Sequence, residues 1–201
     1  MSKKKRKVKK PVVYIAAEGY REQCLVNYAQ DLLDPEKTVN IRFSPEKGGT
    51  SNAILDRALK ALHCYDKVYA WFDEDDKLDS EHRQELEKRW GVELLADLED
   101  CKLQKENISS KKPVIIVSSP LSVEGIIIRL FDKNLPNLRE PVRSPENFED
   151  NKAMMKSAVK GIFGKYTDRE FYERNLTRER LLDKAKIMPE IALLVSIFDK
   201  N

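Results

Sequence analysis

Short β-branched or aromatic runs alternate with amphipathic stretches along the first two thirds of this chain, and no other feature constrains its fold as tightly. Val12 to Ala16 is such a run. Val39, Ile41 and Phe43 alternate with polar residues as a second, the VYAWF segment from Val68 forms a third, and Pro113 to Val117 a fourth. Between them, Leu25, Tyr28, Ala29, Leu32 and Leu33 recur at helical spacing, as do Ile54, Leu55, Ala58, Leu59 and Leu62. After the fourth run, Val123, Ile126, Ile127, Leu130 and Phe131 make one more helical stripe; the Ile run alone also suits a strand, and its extension over two turns favours a helix. Strands separated by helices cannot pair as hairpins. They predict an α/β fold with a mostly parallel sheet and helices on both faces.

The ends of the chain differ in character. MSKKKRKVKK is a basic arm, residues 1–10, in which SKKKRKV is similar to a nuclear-localisation signal and reads equally as a native arm or an added tag. Such an arm directs a chain to a nucleus in a eukaryotic cell; otherwise the reading is cytoplasmic. Removing its seven positive charges from the net +3 leaves the body at −4, so attraction to nucleic acid must come from the arm and from local patches. The α/β body is expected over residues 11–133, a Pro-containing linker over 134–150, and a helical extension over 151–201. Helices are expected at Ser80 to Lys88, Asn151 to Tyr166, Thr167 to Lys186 and Pro189 to Phe198, with a polar connection from Asp97 to Lys112. No apolar run approaches the roughly 20 residues that span a bilayer, which predicts no membrane partner. Cys24, Cys64 and Cys101 have no metal-ligand spacing and suit a reducing compartment.

The third strand runs into Asp73, Glu74, Asp75 and Asp76. Four adjacent like charges make either a solvated loop or a site for a cation that offsets their repulsion. Asp73 and Asp75, two apart in extended chain, project to the same side, and Glu74 to the other. Glu18 sits just past the first strand, in the matching place. In a parallel sheet, ligands gather beyond the carboxyl ends of strands, so Glu18, Asp73 and Asp75, with Asp76 beside them, form a candidate site for Mg²⁺ or Mn²⁺. Glu22, one turn beyond Glu18, is either a further ligand or base, or a first-turn Glu favoured by the helix dipole. Lys47, before Gly48-Gly49, and Lys156 and Lys160, on a basic helical face with Lys152, Lys165, Phe163 and Tyr166, are candidate phosphate and base contacts; a solvated face is the plainer reading. No GxGxxG, Walker A or GxSxG pattern is present.

Taken together over residues 11–131, AAEGYRE, GGTSNAILDRAL, YDKVYAWFDEDD and VSSPLSVEGIIIRLF resemble the RloB-like branch of the Toprim nucleases. The resemblance implies a Toprim-like sheet in which Glu18, Asp73 and Asp75 hold Mg²⁺ for phosphoryl transfer on nucleic acid. It also gives Glu124 the place of the family's glutamate, as ligand or positioner; without it Glu124 reads as an exposed first-turn Glu. Tyr20 stands where an acidic residue is usual. The family implies a toxic effector of bacterial antiphage defence, paired with a separate ATPase subunit, compatible with a homodimer, and cutting nucleic acid, with RNA such as tRNA favoured slightly over DNA. The alternatives are a non-catalytic Toprim-like adaptor and a small-molecule phosphatase. The latter needs an aspartate nucleophile where Glu18 stands.

Overall fold

The computed structural model describes residues 10–45, 51–73, 84–85, 88–89, 93–95, 113–119, 122–140, 145–164 and 168–198, with the main chain alone at 51, 72–73, 93–95, 113–119 and 145. Strands β1 (Val12–Ala17), β2 (Asn40–Pro45), β3 (Lys67–Asp73), β4 (Glu93–Leu95) and β5 (Pro113–Ser119) form one sheet in the order β2-β1-β3-β5-β4. Every pairing is parallel. Seven helices are described: α1 (Tyr20–Leu33), α2 (Ser51–Ala61), α3 (Val123–Leu130), α4 (Pro145–Phe163), α5 (Arg169–Asn175), α6 (Arg178–Lys184) and α7 (Pro189–Phe198).

Side-chain alternation along β1 and β3 separates two cores. Val13, Ile15 and Ala17 share a cluster with Tyr69 and Trp71, whereas Ala16 points the other way with Val68 and Ala70. The second, smaller cluster is covered by α2 through Ile54, Leu55, Ala58 and Leu59. The first is covered by α1 and α3, and continues into α4, α5, α6 and α7 through Met155, Phe171, Leu181 and Leu194. Short side chains on the α2 face let that helix sit close. The large ones face the thicker layer, where Trp71 is 1 % exposed and Ile15 likewise. Each such side chain contributes roughly 1.5–3 kcal/mol on burial. Phe171 meets Phe131 and Phe163 edge to face, and those two meet at a tilt, with centroids 5.2 to 5.4 Å apart, fastening α3, α4 and α5 together.

The chain leaves α1 through a loop closed by one side chain. Asp34 accepts hydrogen bonds from the Thr38 and Val39 backbone N–H groups and from the Thr38 hydroxyl. Burial opposes its charge, yet these donors win and hold its carboxyl below the usual range.

Several expectations are corrected. The sheet has a fifth strand, β4, which three residues following Gly91 give no alternation to announce. The last long helices are arranged differently: α4 begins at Pro145, six residues before Asn151, and the stretch expected as one helix from Thr167 divides into α5 and α6. Asp168 and Thr177 each cap a new start through the side chain, which is why the break falls there. The Ile126 to Ile128 run is helical, as its two-turn stripe requires. The Asp97 to Lys112 connection and most of the expected Ser80 to Lys88 helix lie outside the described residues. No helix among the described residues is long and apolar enough to cross a membrane.

Candidate functional site

From β1 the chain passes through α1 to β2 on one side, then returns through α2 to β3 on the other side of β1. The β1/β3 boundary is therefore the point at which the winding reverses. Helices α1 and α2 pack on opposite faces of the sheet, and a reversal of this kind opens a crevice beyond the strands' carboxyl ends. Ala17 is level with Trp71, so Glu18 and Asp73 stand one and two residues past that pair on strands roughly 4.8 Å apart. On the far side of β3, Asp73 is level with Ser119, the last residue of β5. The main chain thus brings together the ends carrying Glu18, Asp73 and, four residues past Ser119, the start of α3.

Helix α1 starts directly behind Glu18. Gly19 is its extended N-cap and Glu22 the third helical residue. Glu22 is 5 % exposed; its Oε2 atom has no hydrogen-bond partner, while its carboxylate takes a hydrogen bond from its own backbone. Burial raises its pKa above the ordinary glutamate value, the neighbouring charges of Glu18 and Glu124 raise it further, and its own backbone bond and Arg21 oppose them. Glu124, in the first turn of α3, is fully buried and forms an ion pair with Arg21. Its neighbour Ser122, the N-cap of α3, is buried without using its hydroxyl as a cap, and that Oγ has no partner. Glu18 keeps 28 % of its side chain exposed, and Lys152 of α4, 12 % exposed, brings its Nζ to 3.9 Å from the Glu18 carboxylate. Behind them the hydroxyl of Tyr172, on α5, is fully buried with no hydrogen-bond partner; burial pushes its pKa far up, and the charges of Cys24, Glu22 and Glu124 add to the shift.

Glu18, Glu22 and Glu124 are thus gathered in one place, with Arg21 and Lys152 as counter-charges. Of the two readings of Glu124, the exposed first-turn residue is overturned: it lies in the interior. Asp73 ends β3 as expected, with only its main chain described; Asp75, Asp76 and Lys47 lie outside the described residues. Lys156 and Lys160 are exposed on α4. Phe163 is not available for stacking on a base, because it packs against Phe131 and Phe171; Lys165 and Tyr166 lie outside the described residues. Arg21, Ser122 and Tyr172 escaped the sequence reading. Arg21, inside AAEGYRE, and Ser122, inside VSSPLSVEGIIIRLF, stood in quoted motifs; Tyr172 acquires meaning only from α1 and α3, elements distant in the chain.

No group of three or more His, Cys, Asp or Glu among the described residues is arranged to hold a metal ion. The carboxylates nonetheless fit a hard divalent cation in kind: oxygen donors only, one buried oxygen of Glu22 without a partner, and a raised Glu22 pKa that a nearby cation reverses. A cavity of about 730 Å³ elsewhere, lined by Asp132, Arg180, Lys184 and Lys186 among others, carries no such imbalance. There Arg180 and Lys184 pair with Asp132, and Lys186 with Asp183. Comparison of the chain with protein-family models, curated proteins and solved structures finds no match.

Proposed function

We propose that this chain is a metal-dependent nuclease that cleaves phosphodiester bonds with Mg²⁺ or Mn²⁺ held by Glu18, Asp73 and Asp75, with Asp76 beside them. The observation that supports it is the placing of Glu18 and the end of β3 on adjacent strands where the sheet's winding reverses. A divalent ion bound there supplies Lewis acidity to the phosphate and a water of lowered pKa. The chain's own part is electrostatic. Arg21 holds Glu124 in a fixed place, Glu22 keeps a carboxyl against the start of α1, and Lys152 offers the cation that a phosphate beside Glu18 requires.

On the likeness to RloB-like Toprim proteins, the substrate is RNA such as tRNA in preference to DNA, and the chain is the toxic effector of an antiphage system whose ATPase is a separate subunit. The test is cleavage of total tRNA and of plasmid by purified protein, with and without that subunit, across a Mg²⁺ and Mn²⁺ titration. Metal-dependent cutting that Glu18→Gln and Asp73→Asn abolish supports the reading. Absence of cutting under all these conditions, with both variants as toxic in cells as the parent, removes it.

A non-catalytic adaptor draws on a different aspect of the same geometry: Arg21 and Lys152 already offset part of the acidic charge without a metal. Under that reading the acidic substitutions leave cellular activity intact.

A further inference from the structure

Tyr20 is the first residue of α1, two positions from Glu18, and is 65 % exposed, although most large apolar and aromatic side chains among the described residues are covered. It is not a loose side chain. Its hydroxyl is hydrogen-bonded to the side chain of Cys24, one turn along α1, with Asp168 nearby. Cys24 is buried, so the phenol is tied at its polar end while much of the residue remains open to solvent. An anchored aromatic with an open surface is pre-organised for stacking, because little rotamer freedom is left to lose when a flat ligand arrives.

The surroundings select the flat ligand. Two positions back in the chain stands the Glu18 carboxylate, with the Lys152 ammonium 3.9 Å from it, and under the nuclease reading the cation on Glu18 and this ammonium are what a phosphate would meet. A base attached to a phosphate at Glu18 is within reach of a residue two positions away in the chain. We infer that Tyr20 is the base-stacking platform of this site, and that its substrate is single-stranded or unpaired at the nucleotide entering it. The inference rests on the nuclease reading for the position of the phosphate. A continuous duplex keeps its bases stacked on one another and cannot give one face to Tyr20.

The test is equilibrium binding, by fluorescence anisotropy, of labelled single-stranded RNA, the same sequence as duplex, and a chain of abasic sugar-phosphate units, with Ca²⁺ replacing Mg²⁺. Tyr20→Ala is expected to weaken single-strand binding about tenfold, to leave duplex and abasic binding unchanged, and to melt at the parent's temperature. Tyr20→Trp is expected to retain single-strand affinity. Equal affinity of parent and Tyr20→Ala for the single strand, or an equal loss on the abasic chain, overturns the inference. Binding is read without cleavage, so the outcomes separate: a chain that stacks through Tyr20 but never cuts loses the nuclease reading alone, and one that cuts yet ignores Tyr20 loses only this.

Discussion

Gly19 leaves room for the Glu22 carboxylate: a Cβ placed on Gly19 would lie 2.9 Å from Glu22 Oε2. The Gly19 backbone is extended, at φ −146°, so an alanine meets no main-chain strain and the only objection to it is that carboxyl. The far end of a glutamate can swing aside at small cost, but a buried one has few places to go. Gly19→Ala is expected to change unfolding free energy by no more than about 1 kcal/mol, while cutting cleavage more than tenfold by shifting Glu22. Chemical denaturation and initial rates measure the two separately, and a parallel fall in both would argue that Gly19 matters to the fold alone.

Glu22 should leave a signature in the pH dependence of stability. Burial, then the charges of Glu18 and Glu124, raise its folded pKa above the unfolded value, so the folded state holds its proton longer. Its relative contribution is therefore fully present below the unfolded glutamate pKa and is lost as pH rises through the folded one. Glu22→Gln, which keeps the shape and cannot ionise, is expected to match the parent at pH 4 and to exceed it at pH 8. Urea unfolding at both values checks this, and a parent that outlasts the variant at pH 8 would show Glu22 to be well compensated when charged.

Metal should restore what ionisation removes. At a Mg²⁺ concentration a hundred times its dissociation constant, binding to the folded state alone raises stability by about 2.7 kcal/mol. For a chain of this size that is a rise of roughly 5–10 °C in melting temperature. Scanning calorimetry with MgCl₂ and with EDTA should show the rise in the parent and its absence in Asp73→Asn and Glu18→Gln.

If Glu18 holds a divalent ion, as proposed, Lys152 competes with that ion for its carboxylate. With the ammonium 3.9 Å from the carboxylate and largely buried, Lys152→Met removes that competitor and retains an aliphatic stem beside Phe148. The Mg²⁺ concentration giving half-maximal cleavage is expected to fall, and the maximal rate to fall about tenfold or more because the phosphate loses its cation. A Mg²⁺ titration of cleavage separates the two effects; a variant needing more metal than the parent would contradict the competition.

The C-terminal helices share the core of the sheet, so they should not unfold on their own. Phe171 is 1 % exposed and touches Phe131, Phe163 and Tyr172. Phe171→Ala is expected to cost about 3–5 kcal/mol in a single transition. Two transitions in calorimetry would show that α5 to α7 fold separately.

The strand and helix alternation was legible in the sequence because period-2 and period-3.6 patterns report burial directly, and β1, α1, β2, α2 and α3 stand where those patterns put them. Glu18 was legible for the same reason, since a strand end is a place that topology alone selects. β4 was not, because three residues cannot display a period, and neither was the α5/α6 break, where two short capped helices have the same composition as one long one. The interior position of Glu124 escaped notice because a first-turn glutamate looks identical whether water or Arg21 faces it. Only the packing of α1 against the neighbouring layer decides between them.

One timing constraint follows from the ammonium that α4 brings to Glu18. A polypeptide still on the ribosome, halted after α3, already contains every acidic residue assigned to the centre but lacks the lysine and the buried phenol that adjoin it. If those late side chains are needed for turnover, a cell making this protein is protected from every unfinished copy, because the last quarter of translation is what switches the chemistry on.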